Sequence, residues 1–517
     1  MTPIFPVLYN ENIIIQTNGG QHMSEHLYRK TPLMGWASWN AFRTNINEEL
    51  MKKQMDALVD SGLAECGYIY ANMDDGFFGG RDENGHLKFH KERFPNGIKC
   101  IADYAHSKGL KAGIYSEGGD KTCGYYYDQE LENGCDVGLY GHEEEDLNLY
   151  LDELGFDFIK IDWCGGVRLG LDEETQYTKI SNIIDEIRHR TNRQLVFNIC
   201  RWQFPGAWAA KVADSWRTGC DITPHFDSVI HQIDNIKPLA RYCSPGHVND
   251  LDMMQIGNGL DLIEEKTHFT MWCMMSTPLM IGCDPTKLSD GTLEILKNKE
   301  LIAINQDSAC LQAYPIKEIY NEDGVLVGEV WIKDLGQKTS STKAITFLNR
   351  SNQEVTFEFN WNEAGLTGEI LHVHELWEDL DYPCSEGIRL TVGPKNVAAF
   401  KVTSETAIEV PNIWDKGEIL PKPLVKINYE EAKKLMDEGA ALIDVRDEEL
   451  YERSHLEGAI NLPYYGIHDC AKDILKDKKQ PIIVYCTTGK RSNQAKLSLE
   501  CLFYEKIYCL MDVEEYL

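Results

Sequence analysis

Between residues 33 and about 284, short apolar runs alternate with stretches in which apolar residues recur every three or four positions. The short runs predict buried strands, and the recurrence predicts amphipathic helices. One helical stretch has a capping residue, Asn47, and a terminating glycine, Gly62, which are typical helix boundaries. Eight such strand–helix units predict a (β/α)8 barrel, an α/β fold. The predicted strands cover residues 33–40, 68–77, 110–119, 156–164, 194–202, 215–222, 247–257 and 276–284.

From residue 310 onward the pattern changes to alternation of apolar and polar residues, as in GVLVGEVWIKDL and VTFEFNW. A period of two predicts half-buried strands, and turn residues separate the runs. We therefore expect an N-terminal extension at 1–31, a barrel over 32–309 and an antiparallel β-sandwich over 310–405. Three prolines between 406 and 424 indicate a linker.

A third unit follows the linker, over residues 425–517. INYEEAKKLMDEGA has helical spacing, whereas ALIDVRD and PIIVYC are typical of buried strands. Strands that alternate with helices predict a small α/β domain.

The net charge of the chain limits the classes of molecule that it is expected to bind. There are 82 acidic and 51 basic residues, a formal net charge of −31, which argues against nucleic acids and anionic membranes. The sequence shows no leader-like start, no apolar run long enough to span a membrane and, among its 16 cysteines, no CxxC zinc pattern. We expect a cytoplasmic protein with reduced thiols that acts on a neutral small molecule. The sequence leaves the oligomeric state open.

Two segments each place a carboxylate at a strand end beside a cation. In FIKIDWC, Lys160, Asp162 and Cys164 alternate with apolar residues, so their side chains share a face. In SWRTGCD, Arg217 and Asp221 share a face by the same rule. Buried salt bridges would explain either segment alone. Barrel enzymes build their sites at the carboxyl ends of strands, however, and two carboxylates there are what glycoside cleavage requires.

A larger set of motifs lies between residues 32 and 405. The motifs are Met34–Trp39, Met73–Asp75, Gly113–Tyr115, Lys121–Cys123, Lys160–Cys164, Trp216–Arg217 with Asp221, Asn249–Met253 and Ile302–Asp307. In order, spacing and strand-end placement this set resembles glycoside hydrolase family 27, the α-galactosidase or melibiase family. The resemblance implies a retaining exo-glycosidase that releases terminal α-linked galactose from a small or oligosaccharide α-galactoside, with neither a cofactor nor a metal.

By that resemblance, Asp162 is the nucleophile and Asp221 the general acid/base of a double displacement. Lys160, two residues from Asp162 on one strand face, favours the ionised form that attacks the anomeric carbon. A retaining mechanism requires the two carboxyl groups to lie about 5–5.5 Å apart. Arg217 beside Asp221 would lower the pKa of the acid, and the family pattern resolves this by directing Arg217 at sugar hydroxyls.

The resemblance also implies the substrate contacts. Asp74 and Asp75 would accept hydrogen bonds from the axial O4 and from O6, and Lys160 would contact O3 and O4. A metal on the aspartate pair is disfavoured because hard cations need more oxygen ligands. Trp39 would lie against the apolar face of the ring. Tyr115, Asp252 and Met253 would complete the wall of the sugar site. Cys123 and Cys164 match a pair that is disulfide-bonded in secreted relatives, and the sequence leaves open whether they are bonded or reduced here.

One position departs from the family. Many α-galactosidases carry Cys-Glu-Trp after the fifth strand, with the glutamate on O2, whereas this chain has Cys200-Arg201-Trp202. Because arginine only donates hydrogen bonds, Arg201 either turns away or recognises another group at C2, such as an N-acetyl carbonyl. The alternative activities are therefore α-N-acetylgalactosaminidase and β-L-arabinopyranosidase. The O6 contact of the Asp74–Asp75 pair favours galactose.

Residues 425–517 resemble a rhodanese-like domain through Leu442–Arg446, His455–Pro463 and Tyr485–Ser492. The resemblance implies that Cys486 accepts sulfur, in a loop whose amides, with Lys490 and Arg491, stabilise a thiolate. The last helix departs from the family, because Met511–Tyr516 replaces the expected Gly-Gly and Trp. Two further hypotheses are a sugar-binding protein without turnover and a sulfurtransferase with the barrel as a scaffold. The complete set of Lys160, Asp162 and Asp221 argues against both.

Overall fold

The computed structural model describes residues 27–415, 425–464, 467–487, 490–502, 504–511, 513 and 516. Residues 1–26 of the predicted N-terminal extension and residues 416–424 of the predicted linker lie outside these ranges. In the part that the structure describes, no helix has both the length and the apolar character needed to cross a membrane.

The first unit is the predicted barrel. Eight strands form one parallel sheet in the order β10-β1-β2-β5-β6-β7-β8-β9, and β3 and β4 form a separate hairpin. The two ends of the sheet meet where Met254 pairs with Ile281 and the Met254 amide donates to the Met280 carbonyl at 2.6 Å. The (β/α)8 prediction is thus confirmed. The strands are β1 Met34–Ala37, β2 Tyr70–Asn72, β3 Phe78–Arg81, β4 Leu87–Phe89, β5 Lys111–Glu117, β6 Phe158–Asp162, β7 Val196–Ile199, β8 Ser215–Arg217, β9 Val248–Asp250 and β10 Leu279–Ile281.

Helices cover the outside of this sheet, and polar caps begin several of them. The Asn47 side chain accepts the Leu50 amide at 2.9 Å, as its position before the helix predicts. Buried apolar side chains of the strands and helices form one continuous core. The helices are α1 Trp39–Phe42, α2 Glu48–Asp60, α3 Lys99–Ser107, α4 Cys123–Tyr127, α5 Glu143–Asn148, α6 Cys164–Leu169, α7 Glu173–Thr191, α8 Ala209–Val212, α9 Phe226–Ile236, α10 Leu262–Met274, α11 Asp290–Leu296 and α12 Lys299–Asn305.

The second unit is the predicted antiparallel sandwich. A six-stranded sheet, in the order β11-β12-β13-β18-β15-β16, faces the pair β14-β17. The alternation in β14 places Val355, Phe357 and Phe359 in the core between the sheets, because successive strand residues point to opposite faces. The strands are β11 Tyr314–Tyr320, β12 Leu326–Asp334, β13 Thr342–Asn349, β14 Val355–Asn360, β15 Leu366–Glu375, β16 Leu380–Asp381, β17 Gly387–Val392 and β18 Val397–Ala407.

The third unit is a small α/β domain, as predicted. In the part of this domain that the structure describes, five parallel strands have the order β19-β23-β22-β20-β21, and a separate apolar cluster covers each face of the sheet. Both faces of a parallel sheet are normally buried in this way. The elements are β19 Val425–Ile427, α13 Tyr429–Asp437, β20 Ala441–Asp444, α14 Glu448–Arg453, β21 Ile460–Asn461, α15 Ile467–Ile474, β22 Ile482–Tyr485, α16 Lys490–Cys501 and β23 Ile507–Leu510.

Candidate active site

The predicted site residues gather at the carboxyl ends of the barrel strands, around a cavity of about 720 Å³. A smaller cavity of about 50 Å³ lies deeper in the barrel and includes Asp74 in its lining. Nine predicted residues line the larger cavity, namely Trp39, Cys123, Lys160, Asp162, Arg201, Arg217, Asp221, Asp252 and Met253. Asp75, Tyr115 and Cys164 line neither of these two cavities.

Asp162 is the last residue of β6 and is only 6% exposed. Its Oδ1 lies 3.7 Å from Lys160 Nζ, and among the described residues this oxygen has no hydrogen-bond partner. Burial raises the pKa of Asp162 to about 6, although the Lys160 charge opposes the shift. Desolvation therefore outweighs the lysine, which differs from the prediction made from Lys160 alone.

Lys160 makes its shortest ionic contact with Asp74 and not with Asp162. Its Nζ donates to Asp74 Oδ2 at 2.9 Å. The ammonium also lies 6.0 Å from the centre of the Trp39 ring. Lys160, Asp74 and Trp39 thus lie together on one side of the predicted nucleophile, as the sequence predicts.

Arg217 holds two carboxylates at the opposite side of the barrel mouth. One guanidinium nitrogen lies 2.8 Å from Asp252 Oδ2 and 3.1 Å from Asp221 Oδ1. The same nitrogen donates to the carbonyls of Gly219 and Cys220 at 3.2 and 2.8 Å. Arg217 thus orders the loop that carries Asp221, whose side chain is 55% exposed. Arg217 also lines the larger cavity, and its contact with sugar hydroxyls stays a prediction.

Asp252 is the buried partner in this group. Its oxygens accept the amides of Ile222 and Met253 at 2.9 and 2.7 Å. Burial raises the pKa of Asp252 to about 7, with the Arg217 charge opposing the shift. The Arg217 guanidinium lies closer to Asp252 than to Asp221, so its positive charge is shared between the two carboxylates.

Asp75 and Tyr115 hold the start of α4. Asp75 accepts the amides of Gly124 and Gly76, both at 2.7 Å, and the Tyr115 hydroxyl accepts the Cys123 amide at 3.2 Å. A Cβ atom on Gly124 would lie 2.7 Å from Asp75 Oδ2, so the contact requires glycine. Because neither side chain lines the two cavities, the contacts of Asp75 and Tyr115 with the sugar stay predictions.

A disulfide joins Cys123 at the start of α4 to Cys164 at the start of α6. The sequence left the state of this pair open. Cys123 Sγ lies 3.1 Å from Asp162 Oδ2, but a disulfide sulfur has no hydrogen to donate. The bond therefore places an apolar sulfur wall beside the predicted nucleophile.

Glu117, which sequence reasoning missed, connects these elements. It ends β5 directly beside Asp162 in the sheet and is completely buried. Its carboxylate accepts the amides of Gly119 and Cys164 at 2.9 and 2.8 Å. Burial, with a smaller contribution from the Asp162 charge, raises the pKa of Glu117 to about 8. The strand alternation that selected Lys160 and Asp162 would also have selected Glu117, which shares a face with Tyr115.

Comparisons with known proteins match all three units. Family models described as Alpha galactosidase A, Alpha galactosidase C-terminal beta sandwich domain and Rhodanese-like domain match residues 31–307, 328–402 and 428–512. The chain is 37% identical to alpha-galactosidase A of Cellvibrio japonicus over 363 residues, 68% of this chain and 83% of the relative. It is 38% identical to alpha-galactosidase 2 of Arabidopsis thaliana over 360 residues, 68% and 84% of the two chains. The crystal structure of alpha-galactosidase I from Mortierella vinacea is similar with a TM-score of 0.65 and 27% identity, over 75% of this chain and 100% of the other. The chain belongs to the α-galactosidase family of glycoside hydrolases.

In this α-galactosidase-family protein, Arg201 turns towards α7. Its Nε lies 3.0 Å from Glu173 Oε2, and the arginine is buried but still lines the larger cavity. The ion pair neutralises the charge that the sequence places near C2 of the sugar. Because Arg201 is paired with Glu173 and also lines the cavity, both outcomes expected for it at C2 stay predictions.

The rhodanese-like domain carries its own predicted site. Cys486 directly follows β22 and is buried. Arg491, near the start of α16, forms an ion pair with Asp447 at 3.0 Å. Its charge is therefore shared between Asp447 and the loop that carries Cys486. Sulfur transfer by Cys486 stays a prediction.

The raised pKa of Asp162 predicts the acidic limb of the pH profile of this α-galactosidase-family protein. A protonated carboxylic acid cannot attack, so kcat/KM should fall as the pH drops through about 6. Lys160→Gln removes the charge that opposes the shift, so the limb should move to higher pH. Initial rates between pH 4 and 9 (roughly the range that spans these groups) measure its position.

Lys53→Gln is the control for this measurement, because Lys53 is exposed on α2. The maximum value of kcat/KM should also fall in Lys160→Gln, because Asp74 loses its ion-pair partner. The test therefore depends on the pH at which kcat/KM falls and not on its maximum. A limb that stays in place in Lys160→Gln would contradict its assignment to Asp162.

Proposed function

We propose that this protein hydrolyses terminal α-linked galactose by double displacement, with Asp162 as nucleophile and Asp221 as general acid/base. The observation that carries the proposal is that both carboxylates line one cavity at the barrel mouth. One is buried and the other is exposed. Double displacement requires the carboxyl groups to lie about 5–5.5 Å apart.

In the first step, an Asp162 oxygen attacks the anomeric carbon and the bond to the leaving oxygen breaks. Asp221 gives its proton to that oxygen, and a galactosyl ester with Asp162 results. In the second step Asp221 takes a proton from water, the water oxygen attacks the anomeric carbon, and Asp162 leaves. Asp162 Oδ1 accepts no hydrogen bond from a described residue, and its ion-pair contact with Lys160 is as long as 3.7 Å. Both features support this role, because no donor hydrogen holds the oxygen away from the anomeric carbon.

The acid role of Asp221 has to be reconciled with Arg217, since a cation favours the ionised carboxylate. Asp252 offsets this effect, because it lies closer to the same guanidinium nitrogen. The exposure of Asp221 also suits a group that exchanges protons with water in every turnover.

Galactose is the sugar that the observations favour. Asp74 and Lys160 form a hydrogen-bonded pair that can meet an axial hydroxyl, and the relatives reported above are named as α-galactosidases. Asp75 accepts two backbone amides, and its contact with O6 stays a prediction. The Arg201–Glu173 ion pair removes the feature that favoured an N-acetyl group.

A panel of three nitrophenyl glycosides tests the sugar. We expect kcat/KM to be highest for the α-galactoside and about 10–200-fold lower for the β-L-arabinopyranoside, which lacks the C6 arm. The α-N-acetylgalactosaminide should be poorer still, because the cavity has to take a bulky amide beside the Arg201–Glu173 pair. A highest value for either alternative sugar would refute the choice of galactose.

A further inference from the structure

The rhodanese-like domain forms the outer wall of the galactoside cavity. Beyond the barrel residues, the lining of the 720 Å³ cavity includes Lys472, Leu475, Lys476, Lys478, Ser498 and Leu502. Lys472 belongs to α15 and Ser498 to α16, and the other four residues lie in the segments that follow these two helices. The third domain therefore forms part of the lining at the entrance of the cavity.

Specific contacts seat the domain at this mouth. The guanidinium carbon of Arg168 lies 5.1 Å from the ring centre of Tyr464 and 3.7 Å from that of Tyr126. Tyr126 belongs to α4 and Arg168 to α6, the two helices that the disulfide joins beside Asp162. Cation–π contacts of this kind are attractive. The wall is thus attached to the elements that flank the proposed nucleophile.

The chemistry of the wall is unlike that of the chain as a whole. Three of its six lining residues are lysines, although the net charge of the protein is −31. Lys476 Nζ approaches Asp473 only at 3.8 Å, and Lys478 Nζ lies 3.8 Å from the centre of the Tyr504 ring. Burial and the nearby charge of Lys472 lower the pKa of Lys478. Positive charge thus concentrates on this wall.

The barrel side of the cavity does not cancel this charge. Asp162, Asp221 and Asp252 are engaged with Lys160 and Arg217 in the inner part. Asp227 of α9 also lines the cavity and opposes the lysines. Asp473, 3.8 Å from Lys476, is a second carboxylate beside the lysines, and three ammonium groups against these two carboxylates leave the outer region positive.

The size of the cavity leaves space for a second group beside galactose. Pockets of about 300–1,000 Å³ hold ligands larger than one sugar ring, and this cavity falls in that range. Galactose at Asp162 occupies the inner part, so the aglycone extends past Asp221 towards the lysines. We propose that the preferred substrate is an α-galactoside with a short, negatively charged aglycone, bearing a carboxylate, phosphate or sulfate. This inference rests on the proposed function, and it differs from the neutral substrate expected from net charge.

Two compounds derived from melibiose test the proposal. Reduction gives melibiitol and oxidation gives melibionate, and both carry galactose on the same open six-carbon chain. They differ only in a terminal alcohol against a carboxylate. For the full-length enzyme we expect kcat/KM to be about tenfold or more higher for melibionate, from several partly exposed charge pairs. The preference should shrink as salt rises, because salt screens such pairs.

Variants of the three lysines test whether they cause the preference for melibionate over melibiitol. Changing Lys472, Lys476 and Lys478 together to Gln should bring the melibionate-to-melibiitol ratio to about one, and changing them to Arg should keep most of it. Lys479→Gln is the matched control, since Lys479 is an exposed lysine of the same segment outside the lining, and it should keep the wild-type ratio.

Three outcomes would overturn the proposal. A wild-type ratio near one, or a ratio that survives the triple Gln variant, would exclude recognition of an anionic aglycone by this wall. Absence of galactose release from melibiitol, melibionate and p-nitrophenyl α-galactoside would instead refute the proposed function, and with it this inference. The assays therefore separate the two failures.

Discussion

Asp162→Asn should lower kcat/KM for p-nitrophenyl α-galactoside by on the order of 10⁴-fold, because an amide is too poor a nucleophile to form the glycosyl ester. The substitution keeps the shape of a side chain that is 6% exposed at the end of β6, so the fold should persist. Asp74 cannot substitute, since Lys160 holds it at 2.9 Å. Initial-rate measurements, with circular dichroism as a check on folding, give the result.

Chemical rescue identifies the role of Asp162 more sharply than loss of rate. In Asp162→Gly, azide can enter the vacated space and attack the anomeric carbon from the same face. The product should then be β-galactosyl azide. Asp103→Gly is a control at an exposed aspartate of α3 and should keep nearly wild-type rates. Substantial activity of Asp162→Asn, or azide rescue without the β product, would disprove the nucleophile assignment.

Asp221→Ala should affect substrates according to their leaving group. For melibiitol, whose alkoxide needs a proton, kcat/KM should fall by about 10²–10⁴-fold, the usual contribution of a general acid. For p-nitrophenyl α-galactoside the loss should be much smaller, because nitrophenolate departs without protonation. Arg217 should stay in place in this variant, because Asp252 holds it at 2.8 Å.

Azide again distinguishes the role. With Asp221→Ala the nucleophile is intact, so azide attacks the glycosyl ester from the opposite face and gives α-galactosyl azide. Asp227→Ala is the matched control, since Asp227 lines the same cavity but has no role in the proposed steps. Equal losses for the two substrates in Asp221→Ala would show that this residue is not the acid.

The order of the three units and the strand ends that carry chemistry are readable from the chain. Period-two alternation and the recurrence of three and four residues predict the elements, and the carboxyl ends of parallel barrel strands necessarily meet at one mouth. Lys160, Asp162 and Trp39 therefore lie together where the motifs predict. These features depend on local pattern and on a general property of the fold, so one sequence suffices for them.

The partners of individual side chains required the tertiary structure. Arg217 meets Asp252 and Asp75 meets the Gly124 amide because loops from distant parts of the chain come together. The pKa of Asp162 rises because burial outweighs a lysine two residues away, and burial is a property of the whole fold. The lysine wall is the clearest case. Lys472, Lys476 and Lys478 all lie more than three hundred residues after Asp162, and they line the cavity only because their domain is seated at the barrel mouth. Such contacts leave no periodic or local signal, because they depend on which surfaces pack together in three dimensions.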